Sequence, residues 1–368
     1  LTENHLPVLR ANNITENGID YNDLVYIDKK RISEKQILKY GDILIAASSG
    51  SKHIVGKAVS CKNEIKASFG AFCKVIRPNE DIDFKYIGFY FQSSEYREII
   101  SNLSEGANIN NIRNENLDNL EIPLPPLPTQ KRIAAILDKA GALRRKDQEL
   151  LRKYDDLAQA IFIDMFGDPV KNEKEWEVKK LGGVCDKITD GTHQSPIFTD
   201  SGIPFLFVSN IVNNKINYQT NTFITEDEFK ILEKRTPIEI GNILITTVGS
   251  YGNPAIIEKE TKFCFQRHIA FIKPNHKAIN YKYLFGCLKS PFVQQQIDKK
   301  VRGVAQKTLN LSELSSLEIL YPPMSLQVSY SKIFDNLNIQ NDKIIQNRNY
   351  SSSLFQSLLQ QAFRGELK

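Results

Sequence analysis

Two stretches of this chain look, at first reading, able to carry out bond-breaking chemistry. Gly50-Ser51-Lys52-His53-Ile54-Val55-Gly56-Lys57-Ala58 approximates a phosphate-cradling Walker loop. Five residues rather than four separate Gly50 from Gly56-Lys57, however, and Ala58 stands where a magnesium-binding Ser or Thr is required. Glu80-Asp81-Ile82-Asp83-Phe84-Lys85 resembles the acidic half of a nuclease centre. Its counterpart further along, Asn275-His276-Lys277-Ala278-Ile279-Asn280, has no carboxylate, which favours a surface loop. There is no Asn/Asp-Pro-Pro-aromatic run for amino methylation, no glycine-rich methyl-donor loop, and no metal-ligand spacing among the five histidines. What remains is a set of polar, glycine-punctuated loops rich in amide, hydroxyl, imidazole and guanidinium groups, suited to hydrogen-bond recognition. Taken singly, such loops are ordinarily solvated turns.

The elements that would position these loops occur twice, about 197 residues apart. Leu120-Glu121-Ile122-Pro123-Leu124-Pro125-Pro126-Leu127-Pro128-Thr129-Gln130 is echoed by Leu317-Glu318-Ile319-Leu320-Tyr321-Pro322-Pro323-Met324-Ser325-Leu326-Gln327. At the same offset Pro7 falls on Pro204, Asn13 on Asn210, Ser93 on Ser290, Gly106 on Gly303 and Asp138 on Asp335. After a small insertion Gly41-Asp42-Ile43-Leu44-Ile45 meets Gly241-Asn242-Ile243-Leu244-Ile245. The period is far too long for a solenoid. Each copy mixes short β-like runs (Asp42 to Ala47, Phe72 to Ile76, Leu120 to Leu124; Ile243 to Thr247, Ile269 to Ile272, Leu317 to Leu320) with one helical stretch, near Tyr86 to Leu103 and Tyr283 to Lys300. The predicted class is α+β: two globular modules, at 1–125 and 169–322, separated by two long helices at 126–168 and 323–368. The first module is expected to lack its N-terminal part, because about 28 residues from Trp176 lead up to Pro204 whereas six precede Pro7.

Both long helices follow a Pro-Pro entry and carry a heptad. In the first, Ile133, Ile136, Ala140, Leu143, Leu150, Tyr154, Leu157 and Ile161 fall on an a/d seam broken at Asp147. In the second the same register takes Tyr330, Ile333, Leu337, Ile344, Leu354 and Leu358, with Gln340, Asn347 and Ser351 as polar positions. A stripe sustained this long predicts that the helices pack on each other as an antiparallel coiled coil, not merely against their own modules. About 35 residues would make a rod of about 50 Å.

Charge and cysteine usage narrow the setting. The net charge of +5 permits a polyanionic partner without requiring one. Cys61, Cys73, Cys185, Cys264 and Cys287 are odd in number and scattered, reading as reduced thiols of a cytoplasmic protein and not a disulfide or zinc framework. No apolar run is long enough to span a membrane.

Pro125 to Asp138, the opening Trp176-Glu177-Val178-Lys179-Lys180-Leu181-Gly182 and the ending Leu359-Gln360-Gln361-Ala362-Phe363-Arg364-Gly365-Glu366-Leu367 together carry a resemblance over the whole chain. It resembles the specificity (S) subunit of type I restriction–modification systems. The resemblance implies that each module is a target recognition domain reading half of a bipartite, asymmetric site in double-stranded DNA. It implies that the paired helices act as a ruler and dock two modification (adenine-N6 methyltransferase) subunits, with restriction subunits able to join. It also implies that this chain catalyses nothing and binds no cofactor, S-adenosylmethionine, ATP and magnesium belonging to the partners. Modules about 50 Å apart would span on the order of 15 base pairs. The expected DNA-binding residues are Asn12, Asn13, Ser49, Lys52, His53, Lys57, Asn108 and Asn110 in the first module. In the second they are Thr192, His193, Asn210, Ser250, Tyr251, Gln266, Arg267, Arg302, Gln306 and Lys307, with Lys262 a further phosphate contact. Two other readings stay open here: the recognition part of a type IIB-like methyltransferase–nuclease, and a coiled-coil adaptor without DNA specificity.

Overall fold

A central strand with no exposed face organises each half of the chain. In the computed structural model, which describes residues 4–15, 18–51, 53–62, 66–105, 111–303 and 306–367, strand Ile43–Ala46 is buried throughout, as is strand Ile243–Thr246. Side chains alternate across a strand. Ile43 and Ile45 therefore face one core while Leu44 and Ala46 face another. Ile243 and Ile245 divide from Leu244 in the same way.

The chain divides into two compact units, residues 1–151 with 343–368, and 152–342. In the first, strands Ala58–Ser60, Ile43–Ala46 and Cys73–Ile76 form an antiparallel sheet in that order, Ile43 lying opposite Ser60 and Ile76. In the second, Pro254–Ile256, Ile243–Thr246 and Ile269–Pro274 repeat it, Ile243 lying opposite Ile256 and Ile272, and Cys185–Asp190 adds a fourth strand. A second, mixed sheet also recurs: Val25–Asp28, His5–Leu9 and Ser68–Phe69 in one unit, Phe223–Ile224, Ile203–Leu206 and Cys264–Phe265 in the other. This is the α+β duplication expected from the sequence.

The helical stretches differ from expectation. Each is two helices, Phe84–Tyr90 and Ser94–Glu105 in the first unit, Tyr281–Lys289 and Pro291–Lys300 in the second. The break falls at buried Ser93 and Ser290, whose hydroxyls accept from the amides of Tyr96 and Val293 and so cap a new helix, and Pro291 follows at its first position. Residues 120–124 do not form the expected strand. Glu318–Tyr321 pairs with Glu177–Lys180 in the second unit, and among the described residues nothing pairs with 120–124.

The long helices run Leu127–Phe166 and Met324–Phe363. In the first unit an early part of the first helix meets a late part of the second: the Arg144 guanidinium lies 4.5 Å from the Phe355 ring, which also packs 6.1 Å from Phe89. In the second unit the order reverses: Phe162 and Phe166, late in the first helix, each lie 5.4 Å from Tyr330, early in the second. Within each unit, then, an early part of one long helix meets a late part of the other.

The heptad phase is a correction. Ile133, Ala140 and Ile344 are buried as expected, and Ile136, Tyr154, Ile161, Ile333, Leu337 and Leu358 are partly so. Leu143, Leu150, Leu157 and Leu354, assigned to the seam, are exposed. Elsewhere along the seam the more deeply buried residue lies one position later: Leu137 after Ile136, Phe334 after Ile333, Phe355 after Leu354 and Leu359 after Leu358. Apolar neighbours such as Ile136-Leu137, Ile333-Phe334 and Leu354-Phe355 leave the phase open in the sequence. Packing against the modules favours the register that buries the larger aromatic surfaces.

The recurring glutamine of the Pro-Pro entry is a bolt between helix and module. Gln130 Oε1 accepts from the Asp83 amide at 3.0 Å and its Nε2 donates to the Pro125 carbonyl at 2.8 Å. Gln327 does the same with Asn280 and Pro322, both at 2.9 Å. Tyr86 and Tyr283 donate to the carbonyls of Pro123 and Leu320, each at 2.8 Å.

An ion cluster adds a second tie in the first unit, with Asp138 accepting from Lys85 at 2.7 Å and Lys62 at 3.2 Å. Burial pushes the Asp138 carboxyl up, but its hydrogen bonds to the two lysines outweigh this and hold it below its ordinary value. A depressed folded value contributes stability that is present above the unfolded value, about 4, and lost as pH falls through the folded one. Thermal melts at pH 5 and pH 3 should therefore show a smaller acid loss in Asp138→Asn than in the parent. An unchanged acid dependence would remove Asp138 from the account.

Candidate nucleic-acid interface

At one end of each principal sheet the backbone gathers loops that are far apart in sequence. In the second unit this is the end defined by Asp190, Thr246, Pro254 and Ile269. The Thr192 amide donates to the Phe265 carbonyl at 3.1 Å, and the Arg267 amide returns a bond to the Thr192 carbonyl at 3.0 Å. A Cβ at Gly191 would collide with the carbonyl oxygens of Phe265 and Gln266, so only glycine permits this approach. The Gln266 amide donates to the Leu206 carbonyl at 3.1 Å, which brings in the turn that holds Ser209 and Asn210. Thr247 donates to the His268 carbonyl, Leu309 to Thr247, and Gly249 to Lys307, joining the 249–253 and 302–308 loops to the rest. All five loops that carry the expected second-module residues therefore converge here.

The first unit builds the same end. The amides of Ala47 and Ser48 both donate to the Phe72 carbonyl, at 2.8 and 3.0 Å, and the Ile112 amide donates to the Ala47 carbonyl at 2.7 Å. Gly56 closes the 48–57 loop onto the Ala46 carbonyl as Gly252 closes its own onto Thr246, both glycines at positive φ. Lys57 directly precedes strand Ala58–Ser60 at this end, with Ser49 and His53 in the same loop. Lys52, Asn108 and Asn110 lie outside the described residues.

The side chains sort into exposed groups and groups engaged by internal hydrogen bonds or ion pairs. Asn12, His53, Ser250, Arg267, Gln306 and Lys307 are exposed, and Gln266 is half-buried. Asn13 and Asn210 are corrections: they are 1% and 7% exposed and saturated. Asn13 accepts from the Arg10 amide at 2.9 Å and donates to the carbonyls of Asp20 and Asn22. Asn210 binds Phe207, Asn217 and Gln219 identically, so their recurrence reflects a turn lock. Several expected readers have internal partners. The Thr192 hydroxyl donates to the Gln194 carbonyl, and the Ser49 hydroxyl accepts from the Ser51 amide. Tyr251 donates to Asp298 at 3.0 Å, Arg302 pairs with Glu313 at 2.8 Å, and Lys262 pairs with Glu226 at 2.5 Å. His193 lies 2.8 Å from Asp190, whose carboxylate also meets Arg235. That Asp190–Arg235 anchor was not anticipated from sequence.

Gln266, Arg267 and His268 form a short row of donors and acceptors. Burial and the neighbouring Arg267 charge lower His268 below its ordinary value, favouring a neutral imidazole that can both donate and accept. The equivalent row in the first unit is Gly70, Ala71 and Phe72, since Phe72 occupies the backbone position of His268. The β-like run Phe72 to Ile76 predicts a strand from Phe72, but the strand begins at Cys73, leaving Phe72 at the loop tip and 68% exposed. Among the described residues no group of three or more His, Cys, Asp or Glu side chains could hold a metal, and no helix is long and apolar enough to cross a membrane. All five cysteines are free thiols.

Residues 2–152 and 173–350 match the family described as the type I restriction modification DNA specificity domain. Over its whole length the chain is 29% identical to the EcoKI specificity subunit of Escherichia coli strain K12, covering 83% of that protein. It is 25% identical to the MjaIX specificity subunit of Methanocaldococcus jannaschii, across 91% of this chain and 81% of the relative. Among solved structures, a chain from work on assembly and conformational transition of the type I restriction–modification system aligns with a TM-score of 0.56 at 18% identity, covering 99% of this chain and 92% of that one. The type I S subunit from M. genitalium gives 0.54 at 18% identity, covering 89% and 84%. At such identities the structural likeness speaks to fold.

Proposed function

This chain belongs to the type I restriction–modification DNA specificity family, and from that premise we propose that it is the DNA-recognition and scaffold subunit of such a complex. The observation that carries the reading is that one sheet-end scaffold is built twice with different side chains on the same backbone positions: Gln266-Arg267-His268 against Gly70-Ala71-Phe72. Two equal frames bearing unequal readers suit two different half-sites, hence a bipartite and asymmetric target in double-stranded DNA. Glutamine and arginine offer the forked contacts that distinguish adenine and guanine in the major groove, and Lys57 and Lys307 suit phosphates.

The long helices set the spacing between half-sites and dock two adenine-N6 methyltransferase subunits, which restriction subunits can join. The exposed Leu143, Leu150 and Leu157, seven residues apart on the first helix, supply apolar surface for such docking. The subunit itself has no catalytic role. S-adenosylmethionine, ATP and magnesium act in the partners, and the complex works in the cytoplasm.

The test is adenine-methylation mapping by long-read sequencing of DNA from cells expressing this chain with a cognate modification subunit. The expected result is methyl-adenine at a split motif with a fixed gap, one half of which changes when residues 176–322 are exchanged for those of a relative. A stable complex that writes no methylation motif would point to an adaptor without DNA specificity.

A further inference from the structure

Resting on that reading, we infer that Phe72 is a specificity-determining residue of the first half-site, reading the 5-methyl group of a thymine in the major groove. The argument begins with exposure at a fixed place. A single exposed apolar side chain is ordinary on a protein surface. Phe72 differs because its backbone is held from both sides, its carbonyl accepting from Ala47 and Ser48 while Cys73 donates back to Gly70 at 2.9 Å. The phenyl ring is thus presented at the tip of the loop cluster instead of lying over the core.

The internal duplication then indicates what the ring replaces. At these three positions the second unit offers amide, guanidinium and imidazole groups, all able to hydrogen-bond a base edge. The first unit offers a glycine, a methyl group and a phenyl ring, with no hydrogen-bonding side chain among them. A frame used for base reading can, at this point, discriminate only by apolar contact. The one apolar group on a major-groove base edge is the thymine methyl, for which phenylalanine is a recognised partner. Small Gly70 and Ala71 leave room beside the ring for the DNA to approach.

The experiment uses the complex with its modification subunit and the motif it writes. Each thymine of the first half-site is replaced in turn by uracil in a duplex, and binding is measured for the parent and for Phe72→Ala. The expected result is one thymine whose demethylation weakens parent binding about fourfold, the worth of one buried methyl group. The same replacement should leave Phe72→Ala binding unchanged. In the methylation map Phe72→Ala should relax that base alone and leave the second half-site intact, and Phe72→His should shift preference there. If the parent writes a fixed motif but no thymine responds to demethylation, the inference fails while the specificity reading stands. A loss in Phe72→Ala that is blind to thymine demethylation would mean a wedge between base pairs or a protein contact, and would also overturn it. If the parent writes no motif, the specificity reading fails first and the inference with it.

Discussion

Phe166→Ala is expected to destabilise the second unit by about 3–5 kcal/mol, the usual cost of emptying a large aromatic site in a close-packed core. Phe166 is fully buried and lies 4.6 Å from Tyr283, 4.8 Å from Phe162 and 5.4 Å from Tyr330. It therefore joins the end of the first long helix, the helix Tyr281–Lys289 and the start of the second long helix. The cavity should collapse poorly, because Tyr283 and Gln327 are fixed by hydrogen bonds to Leu320, Asn280 and Pro322. In the first unit a buried aromatic of the second long helix, Phe355, lies 6.1 Å from Phe89 with the Arg144 guanidinium 4.5 Å from its ring. Phe355→Ala should lower the stability of that unit and spare the other. Denaturant unfolding, with hydrogen exchange over 281–289 and 84–90 to assign the loss to a unit, would check both. A cost below about 1 kcal/mol for Phe166→Ala would show that the helix end is not part of the second core.

The second large effect is on recognition. Replacing Gln266 and Arg267 by the glycine and alanine of the first unit should erase discrimination at one or two bases of the second half-site. Each forked base contact discriminates by about 1–3 kcal/mol, so preference there should fall roughly 5- to 150-fold. The first half-site and the gap should persist, because neither side chain supports the core. Lys307→Ala is the contrasting variant: a phosphate contact carries no sequence information, so binding should weaken for every sequence alike and its salt dependence should lessen. Methylation mapping of the double variant gives the answer, and an unchanged motif would remove the 266–267 loop from base reading.

Much of this architecture is legible without coordinates, and for identifiable reasons. The duplication survives as paired landmarks because each does the same physical work in both copies. Gln130 and Gln327 bolt a helix start to a helix cap, Asn13 and Asn210 lock a turn, and Ser93 and Ser290 cap a helix. Those roles themselves were not legible. A buried, saturated asparagine and an exposed, base-reading one are the same letter, and only the hydrogen bonds to Asp20 and Asn22, or to Asn217 and Gln219, separate them.

The sequence by itself determined the class, the two modules, the long helices after each Pro-Pro entry and the loops that carry recognition-capable side chains. Local signals suffice for these: apolar period, proline punctuation and glycine placement act within a few residues. The tertiary structure decided the heptad phase, the convergence of five loops on one sheet end, the pairing of Arg302 and Tyr251 with acidic partners, and the outward position of Phe72. Each of these depends on which surfaces compete for burial and which partners come within reach across long sequence separations. That balance is struck only when the whole core has formed.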